Sequence, residues 1–294
     1  MKPAYKIVFF FSIGLVIAAA LSIAIFGLRF GVDFRGGSMM ELVFEKNRPA
    51  QDEVSKTLGA INGVKDVVVS SAGDKGMIIR MDEVSEETHQ AVLQAVESKF
   101  GKVTENRFDS VGPTVGNELK SKSLTAIIVL VLAVTVYIAF VFRKMSKVMS
   151  SWAMGLATMV AMIHDVVIPI GIFALLGKYQ GVEISAVFVA AILTILGYSI
   201  SDTVVVFDRV RENVLRFGSK EDFGAIVHKS IMQTLSRSLN TNVTTLLSLI
   251  AIFIFGGESI KYFALALIIG IFLGAYSSIF VASPLLVWWS GKKR

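Results

Sequence analysis

Six stretches of this chain are long and apolar enough to cross a membrane, and that limits the fold before any motif is read. Spanning hydrocarbon takes roughly 20 apolar residues in a helix. Ile7–Leu28 and Leu124–Phe142 carry no charge. Val148–Leu176 is interrupted by His164 and Asp165, and Ile184–Phe207 holds Asp202. Leu239–Phe255 is free of charge but opens on Asn240, Thr241 and Asn242. Tyr262–Trp289 ends in a Trp pair, a common interfacial anchor. Composition agrees: 54% of residues are hydrophobic and the mean hydropathy is +0.67. The first run is too long for a signal-peptide core, and no small-residue cleavage site follows it, so a retained span is expected. No cysteine occurs, which excludes disulfides and thiolate metal sites.

The loops set the orientation. Lys2 and Lys6 precede the first span, and Arg143, Lys144 and Lys147 follow the second. Arg209, Arg211, Arg216, Lys220 and Lys229 lie between the fourth and fifth, and Lys292, Lys293 and Arg294 close the chain. The intervening loops are near neutral: Lys178 offsets Glu183, and Lys261 offsets Glu258. The positive-inside rule then places both termini in the cytoplasm, with a cytoplasmic loop at about 208–236. The net charge of +6 is a matter of topology here and does not point to nucleic acid. Residues 1–28 form the N-terminus and first span, 29–123 an external domain, and 124–294 a five-helix membrane region.

Within 29–123 the pattern is that of a soluble α+β unit. Met40, Leu42 and Phe44 alternate with Glu41 and Glu45, which predicts a half-buried strand. Pro49 is expected to open a helix with Val54, Leu58 and Ile61 on one face. Val67–Ser70 and Met77–Met81 flank a turn at Gly73–Gly76. Ser85 caps a helix whose core face is Leu93, Val96 and Phe100. Val103–Val111 is a last strand. The order β-α-β-β-α-β predicts a ferredoxin-like external α+β domain on a six-helix α-helical polytopic membrane protein. His89 is expected on a solvated helix face. No nucleophile–base pair, metal cluster or phosphate loop is present, so a non-enzymatic chain without a catalytic or metal site is expected.

The polar residues inside the spans carry the chemistry. A carboxylate near a helix centre costs roughly 2.5–3.5 kcal/mol by insertion scales. Asp202 near the cytoplasmic end of its span reads either as an interfacial residue or as a functional one. Thr194, Tyr198, Ser201 and Asp202 recur at three- and four-residue spacing and form one stripe. Arg237, Thr241, Thr244, Thr245 and Ser248 form a second stripe in the next span. If the stripes meet, Arg237 moving toward or away from Asp202 makes the acid release or take up a proton. The alternative for Arg237 is a snorkelling flank. His164 and Asp165 lie midway along the third span, either as a structural pair or as a deeper relay position. Ala266, Gly270, Gly274, Ser278 and Ala282 repeat every four residues, a row that lets helix backbones approach. Pro284 follows as a stop or kink.

Five motifs together resemble the SecF family of bacterial Sec translocase accessory subunits. They are GVDFRGGSMMELVF after the first span, VGPTVGNEL before the second, HD in the third, GYSISDTVVVFDRVREN ending the fourth, and TLSRSLNTNVTTLL entering the fifth. The resemblance runs nearly end to end and implies half of an RND-superfamily transporter. It implies a SecD partner with six further spans, a SecYEG channel with the SecA ATPase, unfolded preproteins as cargo, and the bacterial inner membrane as location. It implies Asp202 as proton carrier, Arg237 as its switching partner, and His164 and Asp165 as relay residues of less defined role. Asp33, Arg35, Gly36 and Gly37 are then a structural turn into the first strand. Ser201 stands where an Asn is common and Asn242 where a Ser is common. No cofactor is implied, and the driving gradient is one of protons or, as in some relatives, of sodium. A lipid or small-molecule exporter and a passive assembly factor are the competing readings. The first usually carries twelve spans in one chain, and the second has no reason to bury an acid.

Overall fold

The computed structural model describes residues 3–147, 150–217 and 221–290. Lys2, Lys220, Lys292, Lys293 and Arg294, used above for orientation, lie outside the described residues. The chain divides into two compact units, Met1–Arg29 with Thr125–Arg294, and Phe30–Leu124. Among the described residues, six helices are long and apolar enough to cross a membrane. The first is α1 (Pro3–Phe26).

The smaller unit begins with a single helical turn, α2 (Val32–Arg35), which carries Asp33 and Arg35 and buries Phe34. Gly36 and Gly37 follow at φ of +82° and +119°. Side chains are excluded there twice over. A Cβ on Gly36 would sit 2.7 Å from the Pro113 backbone, and one on Gly37 2.7 Å from the Met81 carbonyl. The chain then runs β1 (Gly37–Phe44), α3 (Gln51–Gly59), β2 (Val68–Ala72), β3 (Gly76–Met81), α4 (Glu86–Phe100) and β4 (Val103–Val111). The sheet order is β2-β3-β1-β4 with every pair antiparallel, a ferredoxin-like arrangement. Met40, Leu42 and Phe44 point under the helices and meet Val54, Leu58, Val92 and Val96, all essentially inaccessible. The helix opens at Gln51 with Ala50 as its N-cap, so Pro49 lies one residue before the cap and does not open it. Ser85 caps α4 by accepting from the Thr88 amide at 3.3 Å. Leu58→Ala is expected to lower the stability of this unit by about 2–5 kcal/mol. Urea unfolding of residues 30–112 expressed alone, followed by circular dichroism, checks this. A non-cooperative curve for the parent fragment would count against an autonomous unit.

His89 corrects the expectation of a solvated ring. It is 5% exposed. Its Nδ1 lies 3.1 Å from both Glu86 carboxylate oxygens and its Nε2 2.8 Å from Glu105 Oε1. The ring stacks on Phe108 with centroids 3.7 Å apart. The cause is a bulge: Arg107 pairs with Glu41, but Glu105 pairs with Leu42, leaving Asn106 over. That extra residue turns both Glu105 and Phe108 to the helix-covered face. The Gln90 amide, and then His89, hold the Glu86 carboxyl below the usual carboxylate range.

The second spanning helix, α5 (Pro113–Val141), starts well ahead of Leu124, and a 3-10 segment at Phe142–Lys147 ends it. The remaining long helices are α6 (Ser151–Gln180), α7 (Ala186–Phe217), α8 (Phe223–Phe255) and α9 (Glu258–Ser277). A π turn at Ser278–Ala282 leads from α9 into α10 (Ser283–Ser290). Pro284 has no N–H and would clash with the carbonyl four residues back, and the wider turn accommodates it. α6, α7 and α9 pack together, with α1 on α6 and α8 on α7 and α9. Helix extends into the connection at about 208–236. α7 continues to Phe217 and α8 starts at Phe223, while 218–220 lie outside the described residues. The charges there pair along the helix: Asp208 with Arg211, and Glu212 with Arg209 and Arg216. Between the two helices, the Asn213 amide donates to Ser230 Oγ and Gln233 Oε1, both at 2.8 Å.

Candidate functional site

The α7 turn bearing Asp202 is tied on both sides. On one side the serine at Ser199 donates to Asp165 Oδ2 of α6 at 2.5 Å, and Ser277 of α9 donates to the same oxygen at 2.7 Å. Asp165 Oδ1 lies 2.8 Å from His164 Nδ1. Asp165 is therefore fully buried but has three hydrogen-bonding neighbours, which is how a buried carboxylate is tolerated. The same helix carries Thr203, whose Oγ1 lies 2.9 Å from Ser278 Oγ. His164 Nε2 is buried and has no hydrogen-bond partner among the described residues. Its ring stacks on Tyr276, whose hydroxyl lies 2.8 Å from Ser12 Oγ of α1.

The row of small residues builds this side. Gly270 lies against Ile195, and a Cβ on Gly274 would sit 3.0 Å from that of Ser199. Ala266, Ser278 and Ala282 are buried along the same seam. The close approach of α9 to α7 is what lets short serine side chains reach Asp165.

On the other side Asp202 faces α8. It is 8% exposed, and its Oδ2 accepts from Asn242 Nδ2 at 2.7 Å. Ser238, buried one turn earlier on α8, flanks the same carboxylate. Tyr198 donates to the Thr241 carbonyl at 3.3 Å and lies 3.1 Å from Thr245 Oγ1. Thus Tyr198 of the first stripe reaches Thr241 and Thr245 of the second, while Asp202 meets Asn242, a residue outside both stripes. Arg237 is exposed and forms no ion pair with Asp202 among the described residues. Thr194, Ser201, Thr241, Thr244 and Ser248 are exposed as well, each hydroxyl bonded back to a carbonyl of its own helix. Together they make a polar face on the outside of α7 and α8.

Spacing alone did not single out Asn242, Ser199, Thr203 or Ser277; it placed Ser278 in the row of small residues but not as a partner of Thr203. A usable signal existed for Asn242: Thr234, Ser238 and Asn242 repeat every four residues, and all three are buried. Among the described residues no group of three metal-ligating side chains converges.

Comparison with known proteins places this arrangement. Residues 91–292 match the family model for the protein export membrane protein SecD/SecF, C-terminal, and residues 21–47 match the SecD/SecF GG motif. The protein translocase subunit SecF of Thermobaculum terrenum is 44% identical over 96% of this chain and 90% of its own length. The protein translocase subunit SecDF of Brucella abortus is 38% identical over 95% of this chain but only 36% of its own length. The crystal structure of Thermus SecDF, a translocon-associated membrane protein, superposes with a TM-score of 0.84 at 34% identity. The match covers 99% of this chain and 38% of that one. With both family models matched and relatives aligned over nearly its whole length, this multi-pass membrane chain belongs to the SecF family of protein translocase subunits.

Proposed function

We propose that the chain is a non-enzymatic accessory subunit of the Sec translocase that works with a SecD partner and draws on the proton gradient to promote preprotein export. The observation that carries this reading is Asp202, a carboxylate buried within a spanning helix and held by a neutral amide beside an exposed polar face. Acids in such places are expensive and belong to ion pathways by default. Asp202 takes up a proton from one side and releases it toward the other, and Arg237 sets when, by approaching it or withdrawing. His164 and Asp165 form the deeper part of the same relay. One proton falling through about 100 mV releases roughly 2.3 kcal/mol, enough to rearrange a helix interface.

The polar face of Thr194, Ser201, Thr241, Thr244 and Ser248 supports the partner, because small hydroxyl residues in spanning helices are enriched where helices pack. In the SecDF relatives the matched part is joined to a longer remainder, which suits a SecD half as that packing partner. SecYEG with SecA supplies the channel and the preprotein. The gradient is one of protons, with sodium as the substitute that ion flux would distinguish. The test is preprotein translocation into inverted vesicles with and without a proton gradient, in which Asp202→Asn is expected to lose the gradient response.

The chain lies in the inner membrane with both termini cytoplasmic and residues 29–123 outside. A reporter fused after Lys75 is expected to face outward and one after Lys220 to face the cytoplasm. Finding both on one side would remove the six-span topology.

A further inference from the structure

We infer that Asn242 is a positioning residue for the proton carrier: it reserves one oxygen of Asp202 and leaves the other to bind the proton. This rests on Asp202 being the carrier, as proposed above. The Asn242 amide is 3% exposed and has two hydrogens. One goes to Asp202 Oδ2 and the other to the Ser238 carbonyl one turn back, both at 2.7 Å. Two acceptors on one nitrogen fix the amide, since turning it over would set its oxygen against that carbonyl. Asn242 is therefore a donor in both states of the acid. It bonds the charged carboxylate at Oδ2, and it bonds the neutral acid at the same atom acting as a carbonyl oxygen. The proton then belongs on Oδ1. A second feature fits an arriving donor: Asn242 Oδ1 is buried and has no partner among the described residues.

This gives α8 two different roles toward one carboxylate. Arg237, exposed and five positions earlier, is free to move without stripping Asp202 of its hydrogen bond. Asn242 supports the charge while the arginine is away. The opposite face of the same turn is held by Ser199 and Thr203, so Asp202 is fixed in both directions. The charged or titratable groups on the elements packed against α7 at this height are Arg237 on α8, His164 and Asp165 on α6, and Tyr276 on α9. None of the four hydrogen-bonds to Asp202 among the described residues.

The test uses the full chain co-expressed with its SecD partner in vesicles, with ion conductance measured against pH. Asn242→Leu keeps the branching at Cγ, with bulkier methyl groups, and removes the donor. It is expected to fold and assemble, with half-maximal conductance moved by about one pH unit toward alkaline, because the charged acid has lost its amide donor and keeps only the Ser238 hydroxyl beside it. Asn242→Ser, which keeps a hydroxyl donor, is expected to return part of the way. Melting in detergent reports folding separately; if Asn242→Leu does not fold, the Ser variant carries the comparison. A profile that coincides with the parent's in the folded variants overturns the inference. Asp202→Asn keeps the two readings apart. If it still conducts, the carrier reading fails. If it is silent while the Asn242 variants match the parent, only the positioning role falls.

Discussion

Asp202→Asn is expected to insert, fold and assemble like the parent, and to lose both gradient-driven export and ion conduction. The substitution preserves size, and the new amide oxygen still accepts from Asn242. Removing a charge from a spanning helix relieves an insertion cost, so loss of activity is not a folding defect. What disappears is the ability to bind and release a proton. Arg237→Ala is expected to fail in the same way, since the acid then has no cation to drive its release. Arg237→Lys keeps a cation within reach and is expected to retain part of the activity. The loss for Asp202→Asn is expected to be near complete in the gradient-dependent part, with translocation driven by SecA alone unchanged. Equal gradient dependence in variant and parent would make Asp202 a bystander at the membrane surface.

How much of this was legible beforehand depends on the length scale of the signal. The six spans follow from run length alone, because hydrocarbon thickness sets a minimum that no loop meets by chance. The ferredoxin-like unit follows from strand alternation at Met40, Leu42 and Phe44 and from helical spacing at Val54 and Leu58. His89 was misread because its burial depends on one bulged residue, Asn106, and a register shift leaves no trace in periodicity. The helical continuation through Arg209–Arg216 left little signal, because its charges mark a connection between spans whether or not they pair along a helix. The stripes on α7 and α8 were visible as spacing, yet spacing does not say which side of a helix is covered. Thr244 and Ser248 are exposed, while Asn242, with no titratable group to draw attention, donates to Asp202. Contacts between distant segments, such as Ser277 with Asp165, need the helix crossings themselves.

Gly171→Leu is expected to separate α1 from α6 and to cost more stability than any substitution at the Asp202 site. Gly171 has an ordinary helical conformation, so the reason for glycine is space rather than backbone freedom. A Cβ there would lie 2.5 Å from the Ala19 Cβ and 2.6 Å from its Cα. Backbone atoms cannot rotate away, so α1 itself must move. The move would also break the bond from Ser22 Oγ to the Gly171 carbonyl, 2.9 Å long and buried. Inserting carbon into a close contact typically costs about 1–3 kcal/mol and more where neighbours cannot yield. In lipid no hydrophobic gain reunites the helices once their close packing is lost, because tails solvate them equally well. Gly171→Ala should show the same defect in milder form, and Ala19→Gly on the Gly171→Ala background should restore part of it by vacating the facing methyl. Thermal melting of the purified chain in detergent measures the order of the three. If Gly171→Leu melts with the parent, α1 is not packed on α6 through this contact, and the first span would sit as a separate helix in the bilayer.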